Sequence, residues 1–172
     1  MTQYKLYYFN ARGRAELIRL IFSVADQKYE DIRYEFGDWP KYKALSPTGQ
    51  SPFLEIIDKN ETVKIAQTLA IARFLAKRFN LAGKSDLESA EVDMNADQLN
   101  DWLSEFIRVA LDADQNKKAQ GTQRLQNETV PNNLKFFEQR LANSKSGYLV
   151  NSGLTFSDLY LLVLLDTLGD RK

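Results

Sequence analysis

Strand-like sequence is confined to the first half of the chain, and this asymmetry most constrains how the chain can fold. After the composition break at residues 82–85, apolar residues recur at helical spacing and no further strand is indicated. The pattern predicts two domains, residues 1–79 and 87–172, joined by a linker at residues 80–86. Four stretches are predicted to be strands, because they are rich in aromatic residues or alternate apolar and polar residues: 3–9, 28–36, 53–58 and 63–66.

The order of elements in the first half predicts its topology. A helix is expected between the first two strands, and a second over residues 67–79. Strand, helix and strand in sequence imply two parallel strands joined by a right-handed crossover, and the short turn at residues 59–62 implies a hairpin. We therefore expect an α/β thioredoxin-like domain followed by an all-α domain. The helices expected in the second domain are residues 86–114, about 122–142 with a bend at Pro131, and a helix starting at the Thr155–Asp158 capping box.

The composition removes several kinds of chemistry. The chain of 172 residues has no cysteine and no histidine, which excludes an imidazole-activated nucleophile, a histidine base, a disulfide framework and a Cys/His zinc site. Basic and acidic residues balance at 23 each, so nothing suggests a nucleic-acid partner. No signal peptide or membrane-spanning run is expected, and the predicted location is cytoplasmic.

Several side chains suited to an anionic ligand occur in the first half. Tyr8 ends the first predicted strand and is followed at once by Arg12-Gly13-Arg14 and a helix, so a phenol and a cation lie near a helix start. The thiolate of a small-molecule cofactor would fit there. There are three other candidates. Trp39 and Lys43 offer an indole and an ammonium group four residues apart, and Ser51-Pro52 is a turn whose peptide bond can be cis. Gln67-Thr68 is a helix start with a hydroxyl group.

Each of these features has a simpler explanation when taken alone. A tyrosine in a strand is more often a core residue, and an arginine such as Arg14 is more often an ion-pair partner. Pro52 alone indicates a turn, Gln67-Thr68 a helix cap and Trp39 a packing residue. Their order along the chain makes the joint interpretation stronger than any single one.

Several segments in that order resemble a known family. They are residues 4–16 (YKLYYFNARGRAE), 38–40 (DWP), 49–55 (GQSPFLE) and 67–75 (QTLAIARFL), continuing through 81–84, 92–101 and 154–160. The chain resembles the sigma-class glutathione transferases over essentially its whole length. The resemblance implies a homodimer with glutathione as co-substrate, and small hydrophobic electrophiles as the second substrate.

The resemblance also implies a role for each candidate. Tyr8 would donate a hydrogen bond to the glutathione sulfur, and Asp101 would reach the γ-glutamyl amine of a neighbouring subunit's ligand. The remaining implied contacts are Arg14, Trp39 and Lys43 for the glycyl end and thiol region, Gln50, Ser51 and Pro52 for the cysteinyl part, and Gln67 and Thr68 for the γ-glutamyl carboxylate.

Two departures from the family pattern narrow the expected activity. Asn100 stands where metal-activated relatives carry an acidic residue, so no metal requirement is expected. Arg108 stands where a relative has an aromatic wall, which argues against prostaglandin isomerisation. The expected reaction is conjugation to hydrophobic electrophiles, with Leu103, Phe106 and Arg108 as candidates for the electrophile side.

The helix after Thr155 is apolar around nearly its whole circumference, and such a helix is normally buried on all sides. Family members extend about thirty residues further. We therefore expect exposed apolar surface near residues 161–165, covered by a further segment or by another subunit.

Two alternative functions stay open from the sequence. A binding or structural protein of the same fold, similar to a lens crystallin, would bind a ligand without turnover. A thioredoxin-type redox protein is the weaker alternative, because the chain lacks a Cys-x-x-Cys pair for dithiol exchange.

Overall fold

The computed structural model describes residues 2–59 and 61–169. The chain divides into two compact units, residues 1–81 and 82–172. Within the described residues, the strands all belong to the first unit, and the second unit is helical. The sequence predicts a linker at residues 80–86, whereas the first helix of the second unit already begins at Asp86.

A four-stranded mixed sheet forms the centre of the first unit. Its strands are β1 Gln3–Phe9, β2 Glu30–Tyr34, β3 Phe53–Asp58 and β4 Glu61–Ala66. The strand order is β2-β1-β3-β4, with β1 parallel to β2 and the other neighbours antiparallel. The helix between β1 and β2 permits the parallel pairing, since a tight turn can only join antiparallel strands. The predicted β-α-β unit and hairpin are confirmed. Of the predicted turn at residues 59–62, Asn60 lies outside the described residues, and Glu61 and Thr62 already belong to β4.

Among the described residues of the first unit there are three α-helices: α1 Glu16–Val24, α2 Trp39–Lys43 and α3 Thr68–Arg78. A 3-10 turn at Gly13–Ala15 leads into α1. Pro40 lies in the first turn of α2, where its missing N–H leaves no helical hydrogen bond unmade. The helices predicted before β2 and after β4 are confirmed.

Side chains of β1 alternate between the two faces of the sheet, as predicted. Tyr8 faces α1, where the Arg19 guanidinium lies 6.0 Å from the centre of its ring. Tyr7 faces the other way and stacks on its cross-strand partner Phe53, with ring centres 4.4 Å apart. Only Tyr8 of the two adjacent tyrosines therefore points towards the start of α1.

An aromatic cluster covers the face of the sheet opposite α1. Tyr34 stacks on Tyr42 of α2, with ring centres 4.1 Å apart. A helix of five residues is too short to be stable by itself, so packing on this cluster holds α2 in place. The members of the aromatic cluster are Tyr7, Phe9, Tyr34, Trp39, Tyr42 and Phe53.

In its described part, up to residue 169, the second unit contains four α-helices: α4 Asp86–Ala110, α5 Gln115–Arg124, α6 Val130–Asn143 and α7 Phe156–Gly169. A π-helical segment of five residues, Leu125–Thr129, joins α5 to α6. Trp102 of α4 is buried in this unit.

The boundary between the first two of these helices differs from the sequence prediction. The prediction continues the long helix to about Asp114 and starts the next near Thr122. In the structure Asp114 is instead the N-cap of α5, and its carboxylate accepts hydrogen bonds from the Asn116 and Lys117 N–H groups at 2.9 and 3.2 Å. Pro131 lies at the start of α6, where a helix tolerates it.

Side-chain caps fix where α4 and α7 begin. Ser85 accepts a hydrogen bond from the Glu88 N–H at 3.2 Å, and the Glu88 carboxylate accepts from the Lys84 N–H at 2.7 Å and the Ser152 N–H at 2.8 Å. At α7, the Asp158 carboxylate accepts from the Thr155 N–H at 2.9 Å. The capping role predicted for Asp158 is confirmed.

Helix α7 is buried on most of its surface but not on all of it. Leu161, Val163 and Leu164 are buried, whereas Leu162 is 55% exposed and Leu165 is 41% exposed. The sequence prediction of exposed apolar surface near residues 161–165 therefore holds for these two leucines.

Candidate active site

Tyr8 lies at the end of β1 beside the turn that leads into α1. Its side chain is 9% exposed, and its phenol oxygen accepts a hydrogen bond from the backbone N–H of Arg14 at 3.1 Å. Because the oxygen is the acceptor in this bond, the phenol proton remains available for donation to a ligand. Arg14 contributes its backbone to this arrangement, and its side chain is partly buried.

Gly13 makes this close approach possible. Its φ is +42°, in the region that side chains disfavour. A Cβ atom at this position would lie 2.6 Å from the Tyr8 hydroxyl oxygen, closer than non-bonded atoms can come. Glycine is therefore required both by the backbone angle and by the position of the phenol.

Arg19 is a buried residue of this turn that the sequence analysis did not single out. Its guanidinium donates to the carbonyl oxygens of Ala11 and Arg12 at 2.9 and 3.3 Å and pairs with Asp31 at 3.1 Å, although its side chain is only 7% exposed. It thus holds the turn whose N–H group contacts Tyr8. The sequence does contain a sign of this role, because Arg19 is a charged residue inside the apolar run of α1. A charge that is buried there needs hydrogen-bond or ion-pair partners.

The turn before β3 is organised around a cis peptide bond between Ser51 and Pro52. The Ser46 hydroxyl donates to the Gln50 carbonyl oxygen at 2.6 Å and accepts from the Gln50 N–H at 3.2 Å. The Ser51 hydroxyl lies 2.7 Å from the Tyr34 hydroxyl and 3.4 Å from the carbonyl oxygen of Tyr7. These side-chain bonds give the turn one defined shape.

Gln67 and Thr68 occupy the start of α3, next to this turn. Gln67 has a φ of +75° and is the N-cap residue, and its side-chain amide donates to the Gln50 side-chain oxygen at 2.7 Å. Positive φ at a residue other than glycine is a strained geometry that tends to occur at functional sites. Thr68 is 6% exposed and opens the helix. The structure therefore brings Gln50 and Gln67 into direct contact.

Trp39 and Lys43 both belong to α2. The Trp39 ring is partly buried and lies parallel to the Tyr34 ring, with centres 6.0 Å apart. The Lys43 side chain is exposed and runs past Gly49, where its Cε would lie 3.6 Å from an added Cβ. This contact places the Lys43 side chain beside the turn that holds Gln50.

Burial governs the ionisation of two tyrosines of the aromatic cluster, Tyr34 and Tyr7. It raises the pKa of Tyr34 above its ordinary value, and the hydrogen bond to Ser51 acts in the opposite direction. Burial likewise raises the pKa of Tyr7. Both phenols are therefore neutral near pH 7 and can serve as hydrogen-bond donors.

The candidates of the second unit lie on α4. Asp101 is exposed and Leu103 is buried. Phe106 lines a cavity of about 740 Å³. Arg108, with 63% of its side chain exposed, lines another cavity of about 340 Å³. Asn100 accepts a hydrogen bond from the Tyr160 hydroxyl at 3.3 Å.

Residues 2–59 and 61–169 contain neither a metal-binding cluster nor a membrane-spanning helix. No cluster of three or more acidic side chains in these ranges could hold a metal ion. No helix in them is both long and apolar enough to cross a membrane.

Comparison with known families covers both units. Residues 4–77 match the family model of the glutathione S-transferase N-terminal domain, and residues 100–172 match that of the glutathione S-transferase C-terminal domain.

Individual relatives match nearly the whole chain. The hematopoietic prostaglandin D synthase of Rattus norvegicus is 40% identical over 98% of this chain and 80% of its own length. A probable glutathione S-transferase 6 of Caenorhabditis elegans is 39% identical over 94% of this chain and 78% of its own length. The crystal structure of monomeric Na-GST-3, a glutathione S-transferase of Necator americanus, superimposes with a TM-score of 0.86 at 43% identity, over 98% of this chain and 82% of that one.

A thioredoxin-like sheet followed by a helical unit, together with these matches, defines a glutathione-dependent transferase as the class of protein. The chain belongs to the glutathione S-transferase family, and its similarity to prostaglandin D synthase supports the sigma class. Glutathione is the co-substrate of this family.

Proposed function

We propose that this protein conjugates the thiolate of glutathione to small hydrophobic electrophiles, with Tyr8 activating the thiol. The observation that carries the proposal is the hydrogen bond from the Arg14 N–H to the Tyr8 phenol oxygen at 3.1 Å. This bond fixes the oxygen and polarises the phenol, so the remaining proton is a better donor to sulfur.

The energy required of Tyr8 is modest. A free thiol has a pKa of about 8.5 and is mostly protonated at neutral pH, whereas only the thiolate is nucleophilic. Lowering that pKa by about two units requires roughly 2.7 kcal/mol. A phenol hydrogen bond together with the positive charge of Arg14 can supply it, because nearby positive charge favours the anion.

The turn before β3 and the start of α3 support the binding of the rest of glutathione. In this proposal, peptide groups at Gln50, Ser51 and Pro52 bind the cysteinyl part. The γ-glutamyl carboxylate binds at Gln67 and Thr68, where a helix start offers N–H groups. The glycyl end binds at Arg14, Trp39 and Lys43.

The second unit supplies the remaining roles of the proposal. Asp101 binds the γ-glutamyl amine of glutathione held by the other subunit of a homodimer. Among the candidates for the electrophile side, Phe106 has the strongest support because it lines the larger cavity, and Leu103 and Arg108 are the others. The charge of Arg108 favours conjugation over prostaglandin isomerisation. No metal takes part.

The test is a titration of glutathione followed by thiolate ultraviolet absorbance as a function of pH. We expect thiolate formation near neutral pH in the wild-type protein and its loss in Tyr8→Phe. Tyr4→Phe is the matched control, since it removes another buried phenol hydroxyl from the same face of β1.

Binding of glutathione without ionisation of its thiol would contradict the proposed reaction and favour a non-catalytic binding protein of the same fold. Equal ionisation in wild type and Tyr8→Phe would remove Tyr8 from the mechanism.

A further inference from the structure

Two hydroxyl groups outside the roles described above form a hydrogen-bonded pair. The Tyr34 hydroxyl lies 2.7 Å from the Ser51 hydroxyl, although the two residues are 17 positions apart in sequence. Tyr34 is only 4% exposed, and Ser51 is partly buried. A short hydrogen bond that is partly shielded from water is stronger than one at the surface and fixes both groups.

The ring of Tyr34 is held on several sides by the aromatic cluster. It stacks on Tyr42 with centres 4.1 Å apart and lies parallel to Trp39 with centres 6.0 Å apart. Phe9 meets it edge-on at 5.1 Å. Since Trp39 and Tyr42 both belong to α2, the position of Tyr34 is coupled to the helix that also carries Lys43.

The serine side of the pair adjoins the cis peptide bond. Among the described residues, the hydrogen bonds of Ser51 involve its hydroxyl, which contacts Tyr34 and the carbonyl oxygen of Tyr7. Its side chain is thereby turned into the sheet, and its peptide groups remain for a ligand. One tyrosine thus joins the two segments that bind opposite parts of glutathione in the proposed function.

We infer that Tyr34 is a positioning residue of the glutathione site and acts through the hydroxyl of Ser51. The inference rests on the proposed function, since it concerns the binding of the same ligand. Tyr34 does not touch the reacting sulfur. It sets the orientation of the peptide groups at Ser51 relative to Trp39 and Lys43, so it affects glutathione affinity rather than the chemical step.

The size of the effect follows from the bond that is lost. A hydrogen bond of this kind contributes a net free energy that corresponds to about threefold to tenfold in an equilibrium constant. Tyr34→Phe and Ser51→Ala should each raise the Kd and KM for glutathione by that factor. Because both remove the same bond, the double variant should be no weaker than the weaker single variant.

The experiment measures glutathione binding by calorimetry and turnover with an activated aryl chloride for wild type, Tyr34→Phe, Ser51→Ala and the double variant. We expect kcat at saturating glutathione, and the pH dependence of thiolate formation, to match wild type. Ser51→Thr keeps a hydroxyl and should restore most of the affinity. Tyr4→Phe should bind as wild type does, because its buried hydroxyl has no hydrogen-bond partner.

The outcomes separate the inference from the proposed function. If wild type does not bind glutathione, the proposed function fails and the inference fails with it. If wild type binds glutathione and both single variants bind it as tightly as wild type does, the inference alone is overturned. The same holds if the losses of affinity in the two single variants multiply in the double variant. A fall in kcat at unchanged KM would also overturn it. Should Tyr34→Phe not fold, Ser51→Ala and Ser51→Thr test the same bond from the other side.

Discussion

At the scale of single residues, the geometry around Tyr8 depends on two neighbours with different tasks. Gly13 leaves the space into which the phenol oxygen fits. Arg19 donates hydrogen bonds to the carbonyl groups of Ala11 and Arg12 and so fixes the turn. Neither residue needs to touch glutathione to matter. The position of one phenol oxygen is therefore set by a missing side chain and by a buried cation.

Replacing Gly13 by alanine should impair both stability and catalysis. The φ of +42° disfavours a side chain, which costs about 1–2 kcal/mol of folding free energy. The new Cβ would also displace the Tyr8 hydroxyl, and a misplacement of about 1 Å can lower kcat/KM on the order of 100-fold. Urea denaturation and steady-state kinetics measure the two effects.

Gly37→Ala is the control for this change. Gly37 belongs to the same unit, its φ is not positive, and nothing lies within 4 Å of an added Cβ. This variant should leave kcat/KM and stability near wild-type values. Full activity in Gly13→Ala would show that the phenol does not need its present position.

At the scale of helices and strands, side-chain caps decide where the long helix of the second unit begins. Glu88 accepts hydrogen bonds from Lys84 and Ser152, and so joins the start of α4 to the loop before α7. These bonds hold the pKa of Glu88 below its ordinary value, with the Lys84 N–H as the largest cause, while burial acts in the opposite direction.

The stabilisation from Glu88 should disappear in acid. Because the folded-state pKa is lowered, the contribution is present above the ordinary value of 4.5 and is lost as the pH falls through the folded-state pKa. Glu88→Gln should therefore lose about 1 kcal/mol of unfolding free energy at pH 7, by the usual size of a capping bond, and much less at pH 3. Urea titrations at both values measure the difference.

Glu91→Gln is the matched control on the same helix. Glu91 is 45% exposed and pairs with Arg140 at 3.8 Å, a surface interaction that contributes little. An equal loss of stability in the two variants, or a Glu88→Gln effect that persists at pH 3, would contradict the role of the cap.

Local sequence patterns predicted the elements that bury a regular face. Alternation predicted β1, and the capping pattern predicted the start of α7. Helix α5 was missed at its start because Gln115–Arg124 has no buried residue, so no apolar periodicity exists to be detected. Asp114 also competes with the end of α4 through local hydrogen bonds, which a periodicity argument does not include.

In the candidate site too, features set by neighbouring residues are predictable from the sequence, whereas contacts between distant residues are not. The helix start at Thr68 is predicted by a short motif, and the Ser51-Pro52 motif allows the cis bond that the structure has. The Tyr34–Ser51 pair and the contacts of Arg19 with Asp31 join residues far apart in sequence. No local pattern contains such pairs, and they become visible only when the sheet brings β1, β2 and the turn before β3 together.

At the scale of the whole molecule, the second unit presents an apolar face that we define as Leu134, Leu141, Leu162 and Leu165. All four side chains are between 37% and 55% exposed. Leu134, Leu141 and Leu165 also line a cavity of about 380 Å³. Exposed apolar surface favours association with another surface or with a dye.

The double variant Leu162→Gln, Leu165→Gln should bind less of an apolar fluorescent dye. We expect the dye signal to fall by roughly half, since two of the four leucines are replaced. Exposed positions tolerate substitution within about 0.5 kcal/mol, so the thermal midpoint should change little. Leu87→Gln is the control, because Leu87 is 75% exposed but lies outside this face. An unchanged dye signal in the double variant would contradict the assignment.

Each of the two units carries its own fluorescent reporter. The chain has two tryptophans, and one lies in each unit: Trp39 is partly buried beside the candidate site, and Trp102 is buried in α4. With Trp102 replaced by phenylalanine, the emission of the remaining indole would report on the thioredoxin-like unit alone, and the Trp39→Phe variant would report on the helical unit. Fluorescence can thus show whether the two halves of the chain unfold together or one after the other, without any label being attached.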